Sequence, residues 1–167
     1  MKKSISIFTT LLMFCFVGGI SAQETFDKGT NVINLGLAFG HNLGGFVPGL
    51  GVEYDHCIVD GMINGNASIG VGGYIGIGGY RRVLVGEDKV SAYMSYGARG
   101  SFHYQFFDDI DTYAGVIIGG RSGSYLPFDP FPSGFVGIRY YTSDSFAWFA
   151  ELGSGVGYFN VGASFRF

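Results

Sequence analysis

Between residues 157 and 167 the chain alternates. Phe159, Val161, Ala163, Phe165 and Phe167 fall on one parity; Tyr158, Asn160, Gly162, Ser164 and Arg166 fall on the other. Successive side chains of a strand point to opposite faces, so this stretch predicts a strand with one apolar face and one polar or small face. The same period recurs upstream. A strand over 31–40 sets Leu35, Leu37 and Phe39 against Asn34, Gly36 and Ala38. One over 47–58 sets Leu50, Val52 and Tyr54 against Gly51, Glu53 and Asp55, and one over 66–77 sets Ile69, Val71, Ile75 and Ile77 against Ser68, Gly70, Tyr74 and Gly76. Over 90–106, Met94, Tyr96, Ala98, Phe102, Tyr104 and Phe106 oppose Ser95, Arg99, Ser101, His103 and Gln105. Shorter versions are predicted over 112–121, 134–141 and 146–153, the first of them blurred by consecutive Val116, Ile117 and Ile118.

Eight two-faced strands leave the question of which solvent each face meets. Charges in the strands fall mostly on the small or polar parity: Glu53, Asp55, Arg99, Arg121, Arg139, Glu151 and Arg166, with His103 beside them. A charge placed on a lipid-facing wall near the midplane costs about 2–4 kcal/mol. Such segregation therefore predicts a closed barrel whose apolar parity meets lipid. A soluble barrel with an apolar ligand inside would need the opposite arrangement. Turns are predicted at Asp60-Gly61, Asn64-Gly65, 107–110 and 142–145. Longer connections are expected at 41–46, at the charged segment 80–89, and at 122–133, which holds three of the four prolines. Tyr104, Phe106, Tyr140, Phe146, Trp148, Phe165 and Phe167 are expected at one rim, and Phe39, Phe46, Tyr80, Phe135 and Phe159 at the other, as a bilayer with two interfaces selects.

Composition sharpens this picture. Lys2 and Lys3 precede an apolar run from Ile5 to Ile20 and a small-residue site at Ser21-Ala22, which predicts a secretory signal peptide over 1–22 and a barrel domain over 23–167. The run is shorter than a membrane anchor of about 20 residues and is interrupted by Gly18-Gly19. Bulky Met13-Phe14 before Cys15 does not fit a lipid-attachment site. Loss of the two lysines shifts the balance from 10 basic against 13 acidic residues to 8 against 13. An acidic chain without a basic run argues against nucleic acid as a partner. Cys57 alone remains after processing, so no intramolecular disulfide is expected, and it fits a small apolar strand position. Glycine is abundant, yet Phe, Tyr, Ile and Val are too frequent for disorder. Interleaved glycine and aromatics fit a strongly curved sheet. After residue 22 no apolar segment is long enough for a membrane helix, so a membrane-spanning form must be a barrel.

The leader, the eight strands, the aromatic rims and the closing Phe-Asn-Val-Gly-Ala-Ser-Phe-Arg-Phe resemble the small outer-membrane β-barrel proteins of Gram-negative bacteria. The resemblance implies an all-β, eight-stranded, antiparallel up-and-down transmembrane barrel in the cell outer membrane. It also implies that Phe159, Val161, Phe165 and Phe167 form the signal met by the barrel-assembly machinery. Outer-membrane lipids, lipopolysaccharide among them, are the expected surroundings, and the surface ligand is not specified.

An eight-stranded interior is just wide enough for side chains to fill. The lumen set Glu53, Asp55, Arg99, His103, Arg121, Arg139, Glu151 and Arg166 is therefore expected to pair internally. Arginines on strands four to six are expected within ion-pair reach of Glu53 or Glu151. This favours a non-enzymatic barrel with a structural or surface-interaction role. The rivals are a narrow pore for ions or small solutes and a lipid-modifying enzyme. His103 and Ser101 share a face, but no nucleophile motif surrounds the serine. Gly70-Val71-Gly72-Gly73 does not complete a dinucleotide fingerprint, and no metal-ligand spacing is apparent; no cofactor is expected. Tyr125, Phe128 and Phe131, in the proline-rich stretch, are candidates for a loop contact. Arg81-Arg82 and Glu87-Asp88-Lys89 fit either lipopolysaccharide phosphates or a solvated loop.

Overall fold

The computed structural model describes residues 25–40, 48–84, 87–153 and 155–167, with backbone only for 81–84 and 87–89. The leader and its cut after Ala22 lie outside the described residues, as do His41 and Phe46 and the side chains of Arg81, Arg82, Glu87, Asp88 and Lys89. Eight strands form: β1 Asn31–Phe39, β2 Gly49–Met62, β3 Ala67–Leu84, β4 Glu87–Phe107, β5 Ile110–Gly123, β6 Leu126–Ser143, β7 Phe146–Gly153 and β8 Phe159–Arg166. Every pair of neighbours is antiparallel, and β1 pairs with β8 from Val32↔Arg166 to Phe39↔Phe159, so the sheet closes in simple up-and-down order. Closure removes the free edges that an open sheet would present to lipid.

Parity decides the faces, as the pattern predicted. Leu35, Leu37, Leu50, Val52, Ile75, Ile77, Met94, Val116, Ile118, Val136, Ile138 and Leu152 are exposed on the outer wall, while Asn34, Glu53, Asp55, Ser95, Arg99, His103, Arg139 and Glu151 are buried within. At the end that carries the tight turns, aromatic side chains touch one another on the outside. Phe146 meets Trp148 and Phe165 at 5.2 and 5.5 Å between centroids, and Tyr104 meets Phe106 at 4.6 Å. This is the end that the sequence pattern expects to face the periplasm. Two aromatics expected in the outer ring are not there. Tyr80 and Phe135 lie on the inward parity and are buried in the lumen.

The expected long connections were misplaced. Strands β3 and β4 run through 80–84 and 87–89, paired from Arg81↔Val90 to Leu84↔Glu87. The stretch 122–133 is a hairpin, with β6 starting at Leu126 beside Gly123. Its prolines are compatible with a strand for a geometric reason. Tyr141 N–H donates to Asp109 O on the β5 side, so odd positions of β6 point their N–H toward β5 and even ones away. Pro130 and Pro132 are even, and β7 reaches only as far as Phe135↔Gly153, so no ladder on that side needs the missing donors. Pro127 sits at the register shift near the turn. Strand β2 similarly runs through Asp60-Gly61, with register shifts after Cys57, and the turn falls at Ile63-Asn64-Gly65, all at positive φ.

Candidate functional site

Among the described residues, buried charged side chains concentrate in the polar lumen. Arg99 on β4 meets three carboxylates: Glu53 at 2.8 Å, Asp55 at 3.0 Å and Glu151 at 2.9 Å, with all four side chains almost fully buried. Arg139 on β6 pairs with Asp55 and, at 2.9 Å, with Asp111. Asp55 thus bridges the two guanidinium groups. Asn34 links the remainder, donating to Glu53 at 2.8 Å while its oxygen accepts from Arg139 Nε at 3.2 Å and Ser164 Oγ at 2.7 Å. The arginine planes are also covered by rings: Arg99 Cζ lies 4.0 Å from the Phe135 centroid and Arg139 Cζ 4.4 Å from that of Tyr113. Cations stacked this way gain attraction without needing water. Phe135 is an inner-face residue for this reason.

Of the eight lumen residues proposed from sequence, Glu53, Asp55, Arg99, His103, Arg139 and Glu151 come together. Arg121 and Arg166 do not. Arg121 pairs with Asp129 through Nε at 2.9 Å and Nη2 at 2.7 Å, higher on the β5–β6 hairpin and partly exposed. Arg166 lies at the rim beside the β6–β7 turn, where Nε donates to Asp144 O at 2.7 Å and Nη1 to Thr25 O at 3.3 Å. Tyr125, Phe128 and Phe131 do not share a surface. Tyr125 is at the hairpin turn, Phe128 faces outward against Tyr96, and Phe131 faces inward near Arg121. The outward row Phe159, Val161, Phe165 and Phe167 is exposed on β8 and just beyond it. Asn34, Asp111 and Ser164 were missed. Asp111 fell between the turn expected at 107–110 and the strand expected over 112–121, yet counting back in twos from the inward Arg121 reaches it.

Ser101, His103 and Asp111 form a relay. His103 Nδ1 lies 2.9 Å from Asp111 Oδ1 and Nε2 lies 2.9 Å from Ser101 Oγ. The neutral tautomer that donates through Nδ1 and accepts from the serine satisfies all three groups. Hydrolytic chemistry needs more than this. Ser101 is buried and its backbone lies between Gly70 and Gly115 in the sheet, so its one N–H is held within the wall and is not free to stabilise an oxyanion. The Phe26 ring covers the imidazole at 3.9 Å between centroids.

Phe26 belongs to a segment that folds back into the barrel mouth at the β2–β3 turn end. Gly29 N–H donates to Cys57 O, Cys57 N–H to Thr30 O, and Lys28 N–H to Asp60 Oδ2, each at 3.0 Å. The Cys57 thiol faces the Phe26 carbonyl, so the cysteine is a buried packing residue beside Phe26 and Val32. Next to this segment lies a cavity of about 140 Å3 lined in part by Asp27, Asp60, Ser68, His103 and Asp111. At the opposite end Val156 enters the lumen over Gly49 and Gly76, where an added Cβ would sit 2.2 and 2.1 Å from its methyls. The Tyr93 hydroxyl donates to Val156 O and pins that loop. Charged side chains are thereby held between an apolar residue from each end.

No protein-family model and no curated protein matches the sequence. Solved structures do match in three dimensions. A de novo designed transmembrane β-barrel superposes with a TM-score of 0.56 at 11% identity, over 86% of this chain and 100% of that one. The attachment invasion locus protein Ail of Yersinia pestis, crystallised with the heparin analogue sucrose octasulfate, gives 0.54 at 12% identity over 84% and 99%. Ail in a phospholipid bilayer nanodisc gives 0.50 at 16% identity over 84% and 100%. The chain therefore has the closed eight-stranded fold of small outer-membrane transmembrane barrels.

Proposed function

We propose that the protein is an integral outer-membrane barrel with a closed polar lumen, that it catalyses no reaction, and that it serves a structural or surface-interaction role. The observation that carries this is the sequence of layers along the axis: Val156, then the Arg99–Arg139 network, then Phe26. Each of the four buried carboxylates, Glu53, Asp55, Asp111 and Glu151, lies within ion-pair distance of Arg99 or Arg139, which supports an interior filled by paired side chains over a continuous aqueous row for an ion to follow. The outer wall meets acyl chains and, at its upper rim, lipopolysaccharide. During insertion the β8 row from Phe159 to Phe167 is the surface offered to the barrel-assembly machinery. A surface-interaction role has a fold-level precedent in Ail, an attachment invasion locus protein solved with a heparin analogue.

Reconstitution into planar lipid bilayers tests the closed lumen. The wild-type barrel is expected to give no conductance steps. Regular steps from the wild type would overturn the closed lumen in favour of a narrow pore.

A further inference from the structure

Above Gly153, where β7 ends, β6 continues with β5 alone from Ser133 to Leu126, so the barrel wall rises on one side only. This hairpin keeps the two-faced pattern. Arg121, Asp129 and Phe131 lie on its inner parity, with the ion pair at 2.7 Å. Ile118, Phe128, Pro130 and Pro132 lie outside, and Ile118 is 73% exposed. The outer face is continuous with the lipid-facing wall below it. Ala98, Ile118 and Pro132 form one rung and Tyr96, Gly120 and Pro130 the next. Phe128 lies across Gly120, where an added Cβ would come within 2.2 Å of its ring, and stacks on Tyr96 at 6.4 Å. The glycine makes room for an aromatic ledge.

From Tyr140 in the periplasmic ring up to Phe128 the strand climbs roughly 30 Å, at about 3.3 Å per residue and a tilt of about 40°. An outer-membrane apolar band is about 25 Å tall. Ile118, Pro130 and Pro132 therefore stand at acyl-chain depth and the Tyr96–Phe128 ledge at the outer interface. The open edge of β6 carries prolines at two of the positions whose N–H would face a new strand, Phe128 being another, and the two missing donors weaken pairing with another chain there.

We propose that the β5–β6 hairpin is a one-sided, lipid-facing fin, its outer face covered by acyl chains of the outer leaflet, with the Tyr96–Phe128 ledge anchoring it at the headgroup boundary. The occupant follows from continuity with the lipid-facing wall and from the absence of charge on this face, whose rungs carry Arg121 and Asp129 on the other side. This rests on the membrane-barrel function proposed above.

Trp148, the single tryptophan, sits in the periplasmic aromatic ring and serves as the internal control. Wild-type, Trp148→Phe/Phe128→Trp and Trp148→Phe/Ile118→Trp barrels would be folded into vesicles of phosphatidylcholine with plain or brominated acyl chains. Native tryptophan fluorescence in the wild type should be quenched by bromine, which reports the membrane barrel itself. The Phe128→Trp and Ile118→Trp probes should emit at short wavelength and lose most of their intensity in brominated vesicles, Ile118→Trp the more strongly. The fin is overturned if Trp148 is quenched while both probes emit as water-exposed indoles and respond to iodide. It is equally overturned if the probes are blue-shifted but unquenched and this depends on the protein-to-lipid ratio, because a second copy would then occupy the face. Failure to quench Trp148 would instead remove the membrane barrel.

Discussion

Replacing Arg99 with methionine is expected to lower the unfolding free energy by about 3–5 kcal/mol, the range seen when one partner of a buried ion pair is removed. The substitution nearly conserves volume, so the loss is electrostatic. Glu53, Asp55 and Glu151 converge on this one guanidinium, and without it only Asp55 keeps a cation, through Arg139. Adding Glu53→Gln and Glu151→Gln should recover part of the loss, since amides carry no charge to strand. Urea titration of barrels folded into lipid vesicles, read by gel mobility, measures both. A loss below about 1 kcal/mol, typical of a solvated surface pair, would mean that water reaches the network and would favour the pore.

A second large effect is expected from one methyl group. Gly72 stands between Asp55 and Arg99 in the ladder, beneath their 3.0 Å ion pair. A Cβ there would lie 1.7 Å from Tyr54 O and 3.1 Å from Asp55 Cα, both backbone atoms that no rotamer change can move. Gly72→Ala should therefore push β2 and β3 apart at the centre of the wall, with a loss at or beyond the upper end of the roughly 1–3 kcal/mol found for overpacking. Gly100→Ala is the control: it is on the neighbouring strand with nothing within 4 Å of the added carbon, and should stay within about 0.5 kcal/mol of wild type. The same urea titration compares them. Equal stability of the two variants would show that the sheet is looser at Gly72 than its geometry implies.

Strand number, faces and closure were legible because a barrel wall imposes a period of two on every strand, and lipid on one side makes that period visible as Leu35-Leu37 or Phe165-Phe167 against Asn34 or Ser164. The inward charges were legible for the same reason. Strand ends were not. Proline and charge normally mark loops, but Pro130 and Pro132 stand on an edge no strand adjoins, and the charged residues at 81–89 stand on a hairpin that outgrows its neighbours. Tyr80 and Phe135 were placed in the outer ring because aromatics at a rim suggest the interface, whereas Phe135 covers Arg99 from inside. The contents of the lumen depend on which of many inward polar residues meet across the barrel. Asn34 and Ser164 touch although 130 residues separate them, and no local pattern records that. The separation of Arg121 and Arg166 from the network is likewise a matter of height along the axis, which parity alone does not carry.

The central claim is that this chain closes into a barrel whose outer wall is stable in lipid. Folding the mature chain from urea into phosphatidylcholine vesicles and comparing gel mobility with and without boiling tests it most directly. Closed strands resist the detergent until heated, so unboiled and boiled samples should migrate as two distinct bands. A single band of unchanged mobility, after incubation with vesicles, would contradict the account.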